Sequence, residues 1–245
     1  MRPPLSVRTT TVLFDLDDTL FDHTATSRAA LAASTAALPQ LQQVAFEPLY
    51  QRCSELLEEL HLQVLSGRYT PQEARLLRFQ RLVASYQIAA TDAEIDQFIH
   101  LQQTHYHRLH RPVTGAVALL KALKPQYRIG IVTNNHTLEQ EDKLRFLGMD
   151  RLVDALITSE EVGVAKPDPR IFQVALQRLD SLPEETALVG DNWHVDVVGA
   201  LGVGIRPLWL NRFGAPRPLA LVEEVSSFEP LASVMQTIAG SRQTV

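Results

Sequence analysis

Near the start of the chain an apolar run, Val12-Leu13-Phe14, leads straight into Asp15, Asp17 and Asp18 in the stretch VLFDLDDTLF. Carboxylates this close repel one another and raise each other's pKa unless a cation neutralises them. On an ideal strand Asp15 and Asp17, two apart, would face the same side. One could then act as a nucleophile while the other reaches a leaving oxygen as general acid. Two later strand-like runs also end in polar groups, RIGIVTNN in Thr133 and Asn134 and TALVGDN in Asp191. Donors that are all oxygen suit Mg²⁺, and Asp15 and Asp191 are its natural side-chain ligands. One isolated cation, Lys166 in GVAKPDP, lies between turn residues and a helix expected to begin at Pro169. With Thr133 it would bind the non-bridging oxygens of a phosphoryl group, for which electrostatic positioning supplies most of the catalysis. The chain has three other lysines, Lys121, Lys124 and Lys143. They fall in amphipathic helical patterns and are expected to be solvated.

These groups have to be brought together by the elements between them. Thr10–Leu16 reads as a short buried strand. From about His23 to Arg111 apolar residues recur every three to four positions, which predicts helices and no strand. Two of these helices carry capping boxes, Thr70 with Glu73 and Thr91 with Glu94, and Pro71 sits at the favoured first helical position. After Pro112 the pattern alternates between helix and strand, as in a doubly wound parallel α/β sheet of Rossmann-like type. A βαβ crossover needs little more than about a dozen residues, whereas roughly ninety separate the first strand from the next α/β unit. The excess is expected to be an inserted all-helical domain over 23–111, with 1–22 and 112–245 forming the core and the two linkers serving as a hinge. In such sheets ligands bind outside the carboxyl ends of the strands, where strand order reverses. Asp15, Asp17, Thr133, Asn134 and Asp191 would therefore converge on one cleft.

Composition narrows the partners. The 245 residues are 45% hydrophobic, enough for one large core or a core with a satellite domain. A net charge of -5 and the lack of a Lys/Arg-rich block argue against a nucleic-acid polymer as partner. With no uninterrupted apolar segment, neither a signal peptide nor a membrane span is expected. The single cysteine, Cys53, excludes an internal disulfide framework and fits a reducing cytoplasm. The last five or so residues read as a frayed tail. His100, His105, His107 and His110 share a helix, but no motif supports a metal site there. His23, His136 and His194 adjoin the motifs and are candidates to line the cleft mouth. Arg68 and Tyr69, in the loop SGRYT, are candidates to meet a leaving group.

In order, FDLDDT, IVTNN, the lysine of VAKPDP and GDNWHVD resemble the four motifs of the haloacid dehalogenase superfamily, specifically its phosphohydrolases with an inserted helical cap. The resemblance spans essentially Thr10 to Leu210; the cap matches only in length and helical character. It implies that Asp15 is the nucleophile and that Asp17 is the acid/base, which also lends a backbone carbonyl to Mg²⁺. It further implies that Asp191 is a metal ligand, that Thr133, Asn134 and Lys166 lie on the phosphate side, and that Asp196 supports the metal shell or Lys166. Thr19 is expected to hydrogen-bond backbone around the nucleophile loop, and Asp18 to be solvated or a local turn acceptor. The segment TSEEVGVAKPDPRIF most resembles nucleotidase-type and related small-ester phosphatases. Dehalogenases of this scaffold lack the second aspartate, so Asp17 argues against them. Phosphonate-cleaving relatives need a cap lysine, and none precedes Lys121. The implied activity is hydrolysis of a small phosphorylated metabolite through an aspartyl-phosphate. Nucleoside monophosphates are the first class to try, with phosphoglycolate or sugar phosphates next. A phosphomutase of the β-phosphoglucomutase type and a catalytically silent ligand-binding module are the alternatives.

Overall fold

Thr11–Phe14 (β1, TVLF) is buried at all four positions, which suits a strand covered on both faces. The computed structural model describes residues 8–240, so the expected frayed tail lies outside the described residues. Among the described residues six strands form one sheet: β1, β2 (Arg128–Thr133), β3 (Ala155–Thr158), β4 (Thr186–Gly190), β5 (Arg206–Leu210) and β6 (Glu223–Val225). Their order is β3-β2-β1-β4-β5-β6 and every pairing is parallel. The chain builds outward from β1 to β3, then returns to add β4 on the other side of β1. The reversal of strand order falls between β1 and β4, so the crevice opens at their carboxyl ends, at Asp15 and Asp191.

The chain divides into two units, 1–22 with 111–245 and 23–110. In the first, α5 (Ala116–Leu123), α6 (Thr137–Phe146), α7 (Ser159–Val162), α8 (Pro169–Arg178), α9 (Val198–Gly202) and α10 (Leu231–Ala239) accompany the sheet. Leu13, Val132, Ile157, Phe172 and Leu188 are fully buried in one cluster between sheet and helices. Removing each such side chain from water contributes about 1.5–3 kcal/mol. The second unit holds α1 (His23–Ser34), α2 (Phe46–Leu65), α3 (Pro71–Ser85) and α4 (Asp92–Arg108) around Leu56, Phe79, Leu82 and Phe98. Phe79 and Phe98 meet edge to face at 5.1 Å. Both expected capping boxes close: Thr70 and Thr91 accept from the backbones of Glu73 and Glu94, whose carboxylates return to the capping residues. Arg68 is exposed in the loop before α3, its guanidinium 5.6 Å from the Tyr69 ring centre. Among the described residues no helix is long and apolar enough to cross a membrane.

The first strand is shorter than the expected Thr10–Leu16. It stops at Phe14 because the carbonyl of Leu16 turns to accept the amides of Thr19, Leu20 and Phe21. The edge strand β6 and the helix α10 have no counterpart in the sequence reading. The helix expected over VDVVGALG opens as a π-turn, Trp193–Val197, before α9 begins.

Candidate active site

Asp15 lies one residue beyond β1, where its amide still bonds the Val189 carbonyl at 3.0 Å and extends the pairing with β4. Asp17 belongs to the turn that follows. There Asp18 takes a left-handed φ of 61°, its amide 2.7 Å from the Phe21 carbonyl. Strand alternation therefore does not set the relation between Asp15 and Asp17, contrary to the expectation from period-two spacing; the turn does. Arg212 braces that turn from the chain beyond β5, with Nη1 3.1 Å from the Asp18 carbonyl and Nη2 3.0 Å from Asp22 Oδ1. Asp18 is accordingly not fully solvated: its side chain is 17% exposed and lies 3.7 Å from Arg212.

The two carboxylates are held by different lysines. Lys166, 3% exposed, places Nζ 2.7 Å from Asp15 Oδ1 and 2.6 Å from Asp196 Oδ1. Burial alone would favour the neutral amine, but the attraction of Asp15 and Asp196 outweighs it and holds the group above its ordinary pKa. The backbone of Lys166 is fixed by Asn134, whose Oδ1 accepts from the Lys166 amide at 2.6 Å and whose Nδ2 donates to its carbonyl at 2.9 Å. Asn134, expected on the phosphate side, has both ends of its side-chain amide engaged by the backbone of Lys166.

Asp17 is gripped from α6. Lys143 Nζ lies 2.8 Å from Asp17 Oδ1, and Gln140 Nε2 lies 2.9 Å from Oδ2. Lys143, expected to be solvated, has a side chain only 1% exposed and also pairs with Glu139 at 3.0 Å. Gln140, fully buried, donates at 2.8 Å to Oγ1 of Thr133, itself 1% exposed at the end of β2. Gln140 has no place in the sequence reading, and Lys143 reads there as solvated. The only signal was their spacing: with Leu144 they occupy positions i, i+3 and i+4, the inward stripe of α6.

Asp191 follows β4. Thr19 joins it to the first motif, donating to Asp191 Oδ1 at 3.2 Å and accepting from its amide at 3.1 Å. Thr19, expected to bond backbone around the nucleophile loop, thus ties two motifs together. The Asp191 carbonyl takes the Trp209 indole at 2.8 Å. Asp196 is buried in the π-turn, where Oδ2 accepts from the Asn192 amide at 3.0 Å. A Cβ on Gly190 would lie 2.5 Å from Asp196, so only glycine leaves room for that carboxylate. His136, a candidate for the cleft mouth, is paired with Glu160 at 2.7 Å. His23 bonds Tyr106 at 2.8 Å within the helical unit.

Asp15, Asp191 and Asp196 offer carboxylate oxygens that all lie within 4.8 Å of one another. Burial first, then the neighbouring carboxylates, pushes Asp15 up to about 7 against the pull of Lys166, and pushes Asp191 up to about 8. One lysine among three carboxylates leaves a local excess of negative charge. That excess and the all-oxygen donor set fit a hard divalent cation such as Mg²⁺.

Over residues 9–204 the chain matches the model of the haloacid dehalogenase-like hydrolases. The chain belongs to that family. Among its relatives is the glyceraldehyde 3-phosphate phosphatase of Methanothermobacter thermautotrophicus, 32% identical over 212 residues, which cover 82% of this chain and 84% of that protein. The pyrimidine 5'-nucleotidase YjjG of Escherichia coli is 36% identical over 127 residues, 51% of this chain and 56% of that protein. In fold, this haloacid dehalogenase-like hydrolase resembles the magnesium-bound HAD-hydrolase YfnB of Bacillus subtilis. The TM-score is 0.76 at 24% identity, over 94% of this chain and 99% of that one. The expected Rossmann-like α/β fold is therefore the fold of the family.

Proposed function

We propose that the protein is a Mg²⁺-dependent phosphatase that hydrolyses a small phosphate monoester through an aspartyl-phosphate on Asp15. The observation that carries this reading is the separate support of the two carboxylates. Asp15 is fixed by Lys166 at 2.7 Å, and Asp17 is fixed by Lys143 and Gln140 at 2.8 and 2.9 Å. A single nucleophilic carboxylate would suffice to displace halide, which needs no proton on leaving. A second, independently anchored carboxylate suits an alkoxide, which does. The phosphatases among the relatives support the same choice, and their names place triose phosphates beside nucleoside monophosphates as the first esters to test.

In this reading Asp15 attacks phosphorus, the Asp15–phosphorus bond forms as the ester bond breaks, and the leaving oxygen takes a proton from Asp17. Water then attacks phosphorus, Asp17 accepts the water's proton, and phosphate departs as the Asp15 carboxylate is regenerated. Lys166 and the Thr133 hydroxyl face the non-bridging oxygens, where charge builds in the transition state. Asp196 and Asn134 hold Lys166 in place. Asp15, Asp191 and the backbone carbonyl of Asp17 would hold Mg²⁺, with Asp196 supporting. The ion's contribution when bound is to neutralise charge on the phosphoryl oxygens and the clustered carboxylates.

The test is release of inorganic phosphate from a panel containing glyceraldehyde 3-phosphate, nucleoside monophosphates, phosphoglycolate and sugar phosphates, with Mg²⁺ and then with excess chelator. Release that depends on Mg²⁺ and is lost in Asp15→Asn supports the reading. Full activity in chelator, or an unaffected Asp15→Asn, refutes it.

A further inference from the structure

On α6, Gln140 and Lys143 each carry a polar group to a place where an apolar side chain would serve folding as well. Lys143 is 1% exposed and Gln140 is fully buried. A buried ion pair gains little or nothing in stability over well-packed apolar residues of similar volume. The Gln140 amide is costlier still, because its Oε1 is buried without a hydrogen-bond partner among the described residues. The amide keeps this orientation because its two N–H groups are committed, one to Asp17 Oδ2 at 2.9 Å and one to Thr133 Oγ1 at 2.8 Å. Turning it over would set a carbonyl oxygen against a carboxylate. Lys143 closes the other oxygen of Asp17 at 2.8 Å, with its ammonium 5.0 Å from the Phe21 ring centre. Asn135 adds a longer contact from Nδ2 to Asp17 Oδ2 at 3.4 Å.

We infer that Gln140 and Lys143 form a clamp that positions the Asp17 carboxylate and the Thr133 hydroxyl relative to each other for the transfer step. Lys143 and Gln140 take one oxygen of Asp17 each, which fixes the carboxylate plane rather than only its location. Since Thr133 accepts from Gln140, its hydroxyl proton is not spent on that bond and remains to be donated to an incoming oxygen. The clamp thereby couples the group that handles the leaving oxygen to a group that meets the transferred one. Its members are positioning residues and need not touch substrate. The chemical consequence rests on the phosphatase reading above; the geometric one does not.

Displacing a catalytic group by about 1 Å can cost about 100-fold in rate. Lys143→Met should therefore lower kcat/KM by about 100-fold for an alkyl phosphate. For p-nitrophenyl phosphate, whose leaving group departs without a proton, the loss should stay within about threefold, on the leaving-group argument for general acids. The loss should fall on kcat rather than KM, and Lys143→Arg should restore most of it. Gln140→Met, which leaves the Lys143–Asp17 pair in place, should reproduce the pattern more weakly and also reduce turnover of the aryl ester, because Thr133 is released. Crystal structures of both variants supply a readout independent of turnover: the Asp17 carboxylate should rotate while Asp15, Lys166 and Asp191 stay in place. Should Lys143→Met not fold, Lys143→Gln, which removes the charge and keeps a polar end, carries the same test. Equal losses of kcat/KM, which reads the phosphorylation step alone, on both esters in the Lys143 variants, or an Asp17 carboxylate unmoved in the variants, would overturn the clamp. Wild-type protein that releases phosphate from neither ester would overturn the phosphatase reading, while the variant structures would still decide the clamp.

Discussion

Replacing Asp17 by asparagine removes one negative charge and one acceptor from a group whose two oxygens receive Lys143, Gln140 and, at 3.4 Å, Asn135. Lys143 reaches Oδ1 at 2.8 Å and Gln140 reaches Oδ2 at 2.9 Å. An asparagine has one acceptor oxygen, so one donor must lose its partner and face an NH₂ group instead. Losing a hydrogen bond to a charged group costs about 1.5–3 kcal/mol. The about 3–5 kcal/mol of stripping a buried ion pair is not reached, because Glu139 still lies 3.0 Å from Lys143. The variant should therefore fold, with stability lowered by about 1.5–3 kcal/mol in urea melts. Catalysis should suffer more, because a general acid/base contributes about 10²–10⁴-fold, equivalent to about 2.7–5.5 kcal/mol of barrier. The loss should be unequal between leaving groups. In single-turnover measurements, phosphorylation by glyceraldehyde 3-phosphate or a nucleoside monophosphate should slow far more than phosphorylation by p-nitrophenyl phosphate. Once formed, the phosphoenzyme should persist longer, as water would lack its base. Equal losses with both leaving groups and an unchanged phosphoenzyme lifetime would reduce Asp17 to a structural residue.

The remaining predictions concern the carboxylate cluster. Burial, joined by repulsion between neighbouring carboxylates, raises Asp15 to about 7 and Asp191 to about 8, against the ordinary 3.8. The folded state therefore binds more protons than the unfolded state between those values, and the stability of the chelated protein should fall as pH rises from about 4 to about 8. Thermal melts at several pH values should show that slope in chelator and a flatter one in Mg²⁺; a slope of opposite sign would contradict the crowding of the carboxylates. Ca²⁺, which tolerates looser and higher coordination, should raise the melting temperature yet support little turnover, a pairing that melts and phosphate release check together. Gly190→Ala would bring a Cβ to 2.5 Å from Asp196. It should displace that carboxylate and lower activity by about tenfold or more, as expected when a supporting partner of a metal site is lost. Unchanged activity there would show that Asp196 is dispensable for holding Lys166.

Much of the core could be read from the sequence because parallel strands buried on both faces announce themselves as apolar runs. TVLF, IGIV and ALVG each end at a polar residue that closes a cleft. What escaped has particular causes. β6 is three residues long and reads EEV, an acidic edge that carries no strand signal. Lys143 follows Glu139 by four residues, which is also the pattern of a solvent-exposed helix pair. In the fold that pair faces inward, and its lysine reaches an aspartate 126 positions earlier in the chain. Asn134 sits beside Thr133 in sequence, yet its amide serves the backbone of Lys166. Asp15 and Asp17 are related by a turn rather than by strand alternation, because three amides converge on the Leu16 carbonyl and bend the chain. For Lys143 and Asn134 the missing information was a partner distant in sequence, which local pattern does not encode; for Asp15 and Asp17 it was a tight local turn.

The central claim is that Asp15 attacks phosphorus and is released by attack of water on that same phosphorus. A single turnover in H₂¹⁸O with Mg²⁺ and glyceraldehyde 3-phosphate tests it directly when one portion is acid-quenched to trap phosphate on the Asp15 peptide and the rest is followed by mass spectrometry of the released phosphate and of that peptide. Absence of the trapped phosphopeptide would mean that water attacks the ester without Asp15. Hydrolysis of an aspartyl-phosphate at phosphorus places ¹⁸O in the phosphate and leaves the Asp15 carboxylate unlabelled. Label in the Asp15 carboxylate would mean that water attacks a carboxyl carbon, as in displacement at a carbon centre. Unlabelled phosphate together with labelled Asp15 would contradict the account.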